Sequence, residues 1–233
     1  MSDLQSRITE IYEKIHDASD RVNRDPNEIT LMAASKTVEP HTILEAIDHG
    51  VTTFGENQIQ EAESKFEQQP DLARRATWHF IGSLQSNKAR KALSLFTSIQ
   101  SIDRLSIANR LNSIANDLAI RVPIYIEVNV AEESTKTGCS PSLLPTLAAS
   151  ISLFANLEIV GLMTIAPAVT NQEEARPIFR KLRTMRDELQ ATASFHSINL
   201  GLSMGMSSDY QVAIQEGSTL VRIGTSLWGA RPQ

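Results

Sequence analysis

The sequence has almost no cysteine: Cys139 is the only one in 233 residues. That excludes an internal disulfide and any cysteine-based metal cluster. It also has no excess of positive charge. Lys and Arg number 22 against 27 Asp and Glu, a formal net charge of −5, whereas a nucleic-acid binder normally carries a basic face. No apolar run approaches the length of a membrane span. The opening residues Ser2, Asp3 and Gln5 do not make a basic, then apolar, signal. These absences point to the cytoplasm, with no membrane or nucleic-acid partner. What is present is ordinary for a globular chain, 41% hydrophobic and 21% charged, and the length is enough to bury a core without staples.

Leu4, Ile8, Ile11, Ile15, Ala18 and Val22 recur at spacings of four and three. They predict a long amphipathic N-terminal helix, with Ser2-x-x-Gln5 as its capping box, docked over one end of the core. Apolar strand-like runs follow at 29–34, 52–55, 76–81, 96–102, 122–130, 157–163, 195–200 and 219–224. Helical patterns separate them. One starts at Pro40 and stops at Gly50, another covers 58–69 before Pro70, and Pro177 should kink or delay a third. Strands alternating with helices mean a parallel sheet, and a count of eight fits a closed (β/α)₈ TIM barrel. We therefore expect a single α/β domain over residues 1–233, with one extra N-terminal helix. A doubly wound open sheet is the competitor, but no Gly-x-Gly-x-x-Gly follows the first strand.

Lys36 stands where the first strand leaves the core, the rim where ligands bind in such folds. A lysine there can act as an amine nucleophile toward an aldehyde. Taken alone, a strand-end lysine is more often a solvated charge. The loops after strands seven and eight, 201–209 and 224–226, combine glycines with hydroxyls. Their backbone N–H groups can approach a phosphate closely, and Ser208-Asp209 reads as a helix N-cap beside it. A phosphate together with a lysine-reactive aldehyde describes pyridoxal 5′-phosphate.

The segments Ser35-Lys36, FGENQ (54–58), WHFIGSLQSNK (78–88), SIDR (101–104), GLMTI (161–165), LSMGMSSDY (202–210) and VRIGTSLWG (221–229) resemble the pyridoxal phosphate homeostasis proteins. This YggS/PROSC family is related to the N-terminal barrel of alanine racemase, a fold-type III barrel for the cofactor. Pro177 departs from the family pattern, on the outer layer. The resemblance implies a Schiff base between pyridoxal phosphate and Lys36, with Asn57 beside the ring and Arg222 near the pyridine nitrogen. Ser203, Gly224 and Thr225 would then lie at the phosphate. His79 would stand behind these residues, out of contact with the cofactor. The implied function is a monomeric carrier that keeps free pyridoxal phosphate low and hands it to apoenzymes. An amino-acid racemase is the alternative, and a Schiff-base aldolase a more distant one. Against racemisation, the chain has only Tyr12, Tyr125 and Tyr210, and none is expected at the mouth as a second acid–base group.

Overall fold

The computed structural model describes residues 3–133, 135–192, 194–195 and 199–229. Its strands are β1 (Thr30–Ala34), β2 (Thr53–Glu56), β3 (Thr77–Phe80), β4 (Ser98–Ile102), β5 (Val122–Glu127), β6 (Leu157–Met163), β7 (Gly201–Ser203) and β8 (Leu220–Ile223). All pairs are parallel, they follow sequence order, and β8 returns to β1 to close the barrel. The helices are α1 (Asp3–Asp20), α2 (Pro40–Asp48), α3 (Ile59–Gln68), α4 (Asp71–Arg75), α5 (Ala89–Leu95), α6 (Leu105–Asp117), α7 (Leu144–Ile151), α8 (Arg176–Gln190), α9 (Tyr210–Gln215) and α10 (Thr225–Trp228).

Strand alternation sorts the side chains into two environments. Leu31, Ala33, Phe54, Trp78, Phe80, Ile99, Ile124, Leu202, Val221 and Ile223 belong to the apolar layer under the helices. There Trp78 stacks on Phe54 with ring centroids 5.1 Å apart, and its Nε1 donates to the Leu72 carbonyl at 2.9 Å. The residues of opposite parity are far more polar: Thr53, His79, Gln100, Glu127, Ser203 and Arg222. They face the lumen, a space that barrels usually fill with branched apolar side chains.

Two features depart from the sequence reading. α1 packs against α2, α9 and α10, so it stands in the outer ring rather than over one end. Arg7 fastens it there, Nε to the Leu227 carbonyl at 2.7 Å. Ser2 of its expected capping box lies outside the described residues. The seventh strand is Gly201–Ser203, not 195–200. Its small inward residues and outward Leu202 carry the alternation, while Phe195 is buried in a turn against Thr192; His196, Ser197 and Ile198 lie outside the described residues. Of the two effects expected of Pro177, a kink or a delayed start, the structure shows the second: α8 begins only at Arg176 and runs on unbroken. Pro177 sits in the first turn, where the missing N–H costs nothing, and Asn171 caps the preceding 3₁₀ turn by accepting from Glu173 N–H.

Candidate functional site

The C-terminal ends of the strands surround a cavity of about 780 Å³. Ala34, Asn57, Arg222, Gly224 and Thr225 all line it. Lys36 lies two residues past Ala34 and shares the inward parity of Met32 and Ala34; it is half-buried at the rim and outside the cavity wall itself.

One wall is built from the loops after β7 and β8. Gly205 takes φ +95°, and a Cβ there would come within 2.6 Å of Ala213 Cβ, so only glycine permits this turn. The Gly205 carbonyl accepts from Arg222 N–H at 2.9 Å and ties the two loops together. The N–H groups of Gly224 and Ser226 both converge on Ser207 Oγ, each at 3.2 Å. Two amides sharing one oxygen mark a place where an anion's oxygen is well received. A Cβ on Gly224 would meet only Ala34, at 3.8 Å, another wall residue; its absence leaves room in the cavity. Asp209 does not cap α9 with its side chain, contrary to expectation; its carboxylate accepts from Met206 N–H at 2.6 Å.

Ser203 is the expected phosphate residue that the structure does not bring to this wall. It ends β7, fully buried, with its hydroxyl in the lumen. Arg222 Nη1 donates to both Ser203 Oγ (2.7 Å) and the Ser203 carbonyl (2.8 Å), and Arg222 Nη2 donates to the Thr164 carbonyl (2.7 Å). Ser203 Oγ in turn donates to Gln100 Oε1 at 2.7 Å. Gln100 Nε2 then lies 2.8 Å from His79 Nδ1. Burial lowers the Arg222 guanidinium to about 10 against the raising charges of Glu127 and Asp209, so it stays cationic. Asn57 contributes a buried Oδ1 with no hydrogen-bond partner among the described residues, an acceptor left for a polar ligand group.

Behind Lys36 lies a buried ionic cluster. Lys65 of α3 donates to the Ser35 carbonyl (2.7 Å), Glu56 (2.6 Å) and Glu61 (2.8 Å). Ser35 Oγ donates to Glu56 at 2.8 Å, and Thr37 N–H donates to Glu61. Thr37 takes φ +62°, a left-handed conformation uncommon outside glycine. Both neighbours of Lys36 are thus held by one lysine–glutamate pair. Burial raises the Glu56 carboxyl. Burial would also raise Glu61, but hydrogen bonds from Lys65 and Thr37 and the charges of Lys65 and Lys36 bring it below the usual range.

The sequence reading missed Ser207, Ser208 and Ser226 as wall residues, although all three stand within the glycine–hydroxyl loops it singled out. It also missed Lys65, whose i,i+4 spacing from Glu61 was a usable signal, and Gln100, the one amide in β4 and fully buried.

Burial lowers His79 to about 4, so it is neutral in the folded protein and accepts at Nδ1 from Gln100. An unfolded histidine titrates near 6.5. The unfolded state therefore binds the extra proton between those values, and stability falls as pH drops from about 6.5 towards 4, by up to about 3 kcal/mol. His79→Gln should show a flatter loss of melting temperature over that range. Equal slopes in both proteins would refute the assignment.

Comparison with known proteins agrees with this architecture. The family model described as alanine racemase, N-terminal domain, matches residues 9–232. A pyridoxal phosphate homeostasis protein of Aquifex aeolicus is 43% identical over 225 residues, 97% of each chain. The Escherichia coli protein of the same name is 39% identical over 99% of this chain and 98% of its own. The structure of PipY from Synechococcus elongatus with PLP bound has a TM-score of 0.84 at 35% identity, covering 97% of this chain and all of that one. An alanine racemase of Clostridium difficile shares the fold at a TM-score of 0.70, with 13% identity and 57% of its length covered.

Proposed function

Because the chain belongs to the pyridoxal phosphate homeostasis family, built on the barrel of the alanine racemase N-terminal domain, we propose that it binds pyridoxal 5′-phosphate in the rim cavity and passes it to apoenzymes, keeping the free aldehyde low. The observation that carries this reading is the pair of amides, Gly224 and Ser226, converging on one oxygen in the cavity that the cationic Arg222 also lines, with Asn57, whose Oδ1 has no partner among the described residues. The residues present fit the group. When bound, pyridoxal phosphate supplies an aldehyde that a lysine amine captures and a conjugated ring that absorbs visible light.

Lys36 is the residue we assign to hold the aldehyde carbon; its flexible four-carbon stem can turn from the rim into the cavity. Thr225 and the Gly224 amide hold the phosphate, with Ser207 giving up its place to a phosphate oxygen. Asn57 faces the polar edge of the ring, and Arg222 directs its charge at the pyridine nitrogen. A fixed cation there disfavours protonation of that nitrogen and weakens the ring as an electron sink. None of the three tyrosines lines the cavity: Tyr12 is on α1, Tyr210 is buried on α9, and Tyr125 lines a separate pocket with Arg24 and Arg186. That favours a carrier over a racemase. We read the protein as one domain over residues 1–233, acting as a cytoplasmic monomer. No helix among the described residues is long and apolar enough to cross a membrane.

The test is the absorption spectrum of purified protein with pyridoxal phosphate, before and after borohydride, with the modified peptide identified by mass. A visible band fixed by hydride onto Lys36 is expected. No band and no added mass would end this reading. The phosphate wall carries its own prediction. Charge-assisted hydrogen bonds contribute about 1.5–3 kcal/mol each, so Thr225→Val should weaken pyridoxal phosphate binding roughly tenfold or more. Pyridoxal, without the phosphate, should bind weaker still and be insensitive to that substitution. Equal affinities for the two compounds would sink the phosphate site.

A further inference from the structure

We infer that Gln100 and Ser203 are positioning residues for the cofactor ring: with His79 they form a one-directional hydrogen-bond chain across the barrel lumen that fixes the guanidinium of Arg222 through neutral acceptors, with no carboxylate hydrogen-bonded to it among the described residues. This rests on the reading of the rim cavity as the pyridoxal phosphate site.

The chain spans the barrel. His79 is on β3, Gln100 on β4, Ser203 on β7 and Arg222 on β8. In a ring of eight strands in sequence order, β4 and β7 are not neighbours, so the 2.7 Å bond from Ser203 to Gln100 crosses the lumen. Direction is set from the cationic end. Arginine can only donate, so Ser203 Oγ must accept from Nη1 and has its own proton to give. Gln100 Oε1 receives that proton, which turns the amide Nε2 toward His79. His79 must therefore accept at Nδ1, as the neutral tautomer protonated at Nε2. A protonated His79 would have no acceptor to offer, and the amide would have to reverse.

The partners of Arg222 matter as much as its position. Its three hydrogen bonds go to neutral oxygens: Ser203 Oγ, the Ser203 carbonyl and the Thr164 carbonyl. The two carboxylates whose charges act on it, Glu127 and Asp209, are hydrogen-bonded elsewhere. Glu127 accepts from Thr137 Oγ1 at 2.6 Å, and Asp209 accepts from Met206 N–H. No carboxylate hydrogen-bonds to Arg222 among the described residues. Of its five N–H donors, Nε–H and one on Nη2 stay uncommitted to the described residues, and Arg222 lines the cavity. Neutral acceptors hold a cation in place without cancelling it, and donors in series polarise one another. What Gln100 and Ser203 fix is therefore the point from which the charge acts on the ring.

The experiment compares wild type, Ser203→Ala, Gln100→Leu and Ser203→Thr, each loaded with pyridoxal phosphate. It reads the visible band, the pH midpoint of its titration, the hydride-fixed mass on Lys36 and the melting temperature. All four proteins should carry the mass on Lys36. Ser203→Ala and Gln100→Leu should displace the titration midpoint by about half a unit or more, with Ser203→Thr, which keeps a hydroxyl, returning toward wild type. Should Gln100→Leu fail to fold, Ser203→Ala decides, since it deletes a single oxygen. Unchanged band and midpoint in Ser203→Ala, with only a lower melting temperature, would reduce the chain to structural support and overturn the inference. A wild type that takes no mass on Lys36 overturns the site reading instead, a result separable from the first.

Discussion

Lys36→Ala is expected to lose the visible band and the hydride-fixed mass completely while keeping its fold. The side chain is half-buried at the rim and makes none of the hydrogen bonds that hold its own turn; those run through Ser35 and Thr37. Removing it therefore costs the protein little stability. The phosphate wall and Arg222 are untouched, so weak non-covalent binding should persist and be measurable by dialysis. Two other lysines are already engaged by carboxylates. Lys65 is buried and ion-paired to two glutamates, and Lys136 is paired to Glu133. An unchanged band in the alanine variant would move the covalent site elsewhere. The same pair of proteins separates carrier from racemase. Loaded wild type with L- or D-alanine in deuterated solvent should exchange the α-proton at far below about one turnover per second, well under ordinary enzyme rates. Faster exchange that disappears in Lys36→Ala would establish an enzyme.

The barrel was legible because its evidence is periodic. Each strand had to be apolar on its helix-facing side, so runs such as 122–130 and 157–163 stood out, and their number fitted a closed barrel better than an open sheet. Weak elements failed where periodicity is thin. β7 has three residues, one of them glycine, and offers no apolar run; α4 follows Pro70 too briefly to show a face. The cavity wall proposed to take the phosphate showed in the sequence as glycine and hydroxyl loops at strand ends, though not which hydroxyl faced the cavity. Ser203 and Ser207 are four residues apart in one loop segment. Only the pleat of β7 and the turn at Gly205 decide that the first points into the lumen and the second to the rim. The lumen chain was hidden for a different reason: Gln100 and Ser203 are 103 residues apart, and contact across a closed barrel leaves no spacing in sequence.

The cluster beneath the Lys36 turn leads to the second large effect. Lys65→Met should destabilise the protein by about 3–5 kcal/mol, the cost of removing one partner from a buried ion pair. The lysine's side chain is 7% exposed and that of Glu56 is fully buried, so water cannot replace the lost ammonium. Glu56 would keep only Ser35 Oγ on one oxygen, its Oε2 being already without a partner among the described residues, and the Ser35 carbonyl would lose its donor. Two outcomes follow, on two links of the chain from packing to function. The denaturation midpoint should fall sharply, and Glu56→Gln in the same background should recover part of the loss by removing the stranded charge. At temperatures where Lys65→Met remains folded, its Lys36 should take up pyridoxal phosphate more slowly, because the left-handed Thr37 loses the lysine that orients Glu61 against its N–H. Stopped-flow growth of the visible band measures that rate. A variant as stable as wild type would mean the buried ions are replaceable by packing. Wild-type uptake in a destabilised variant would mean the cluster supports the fold without setting the Lys36 turn.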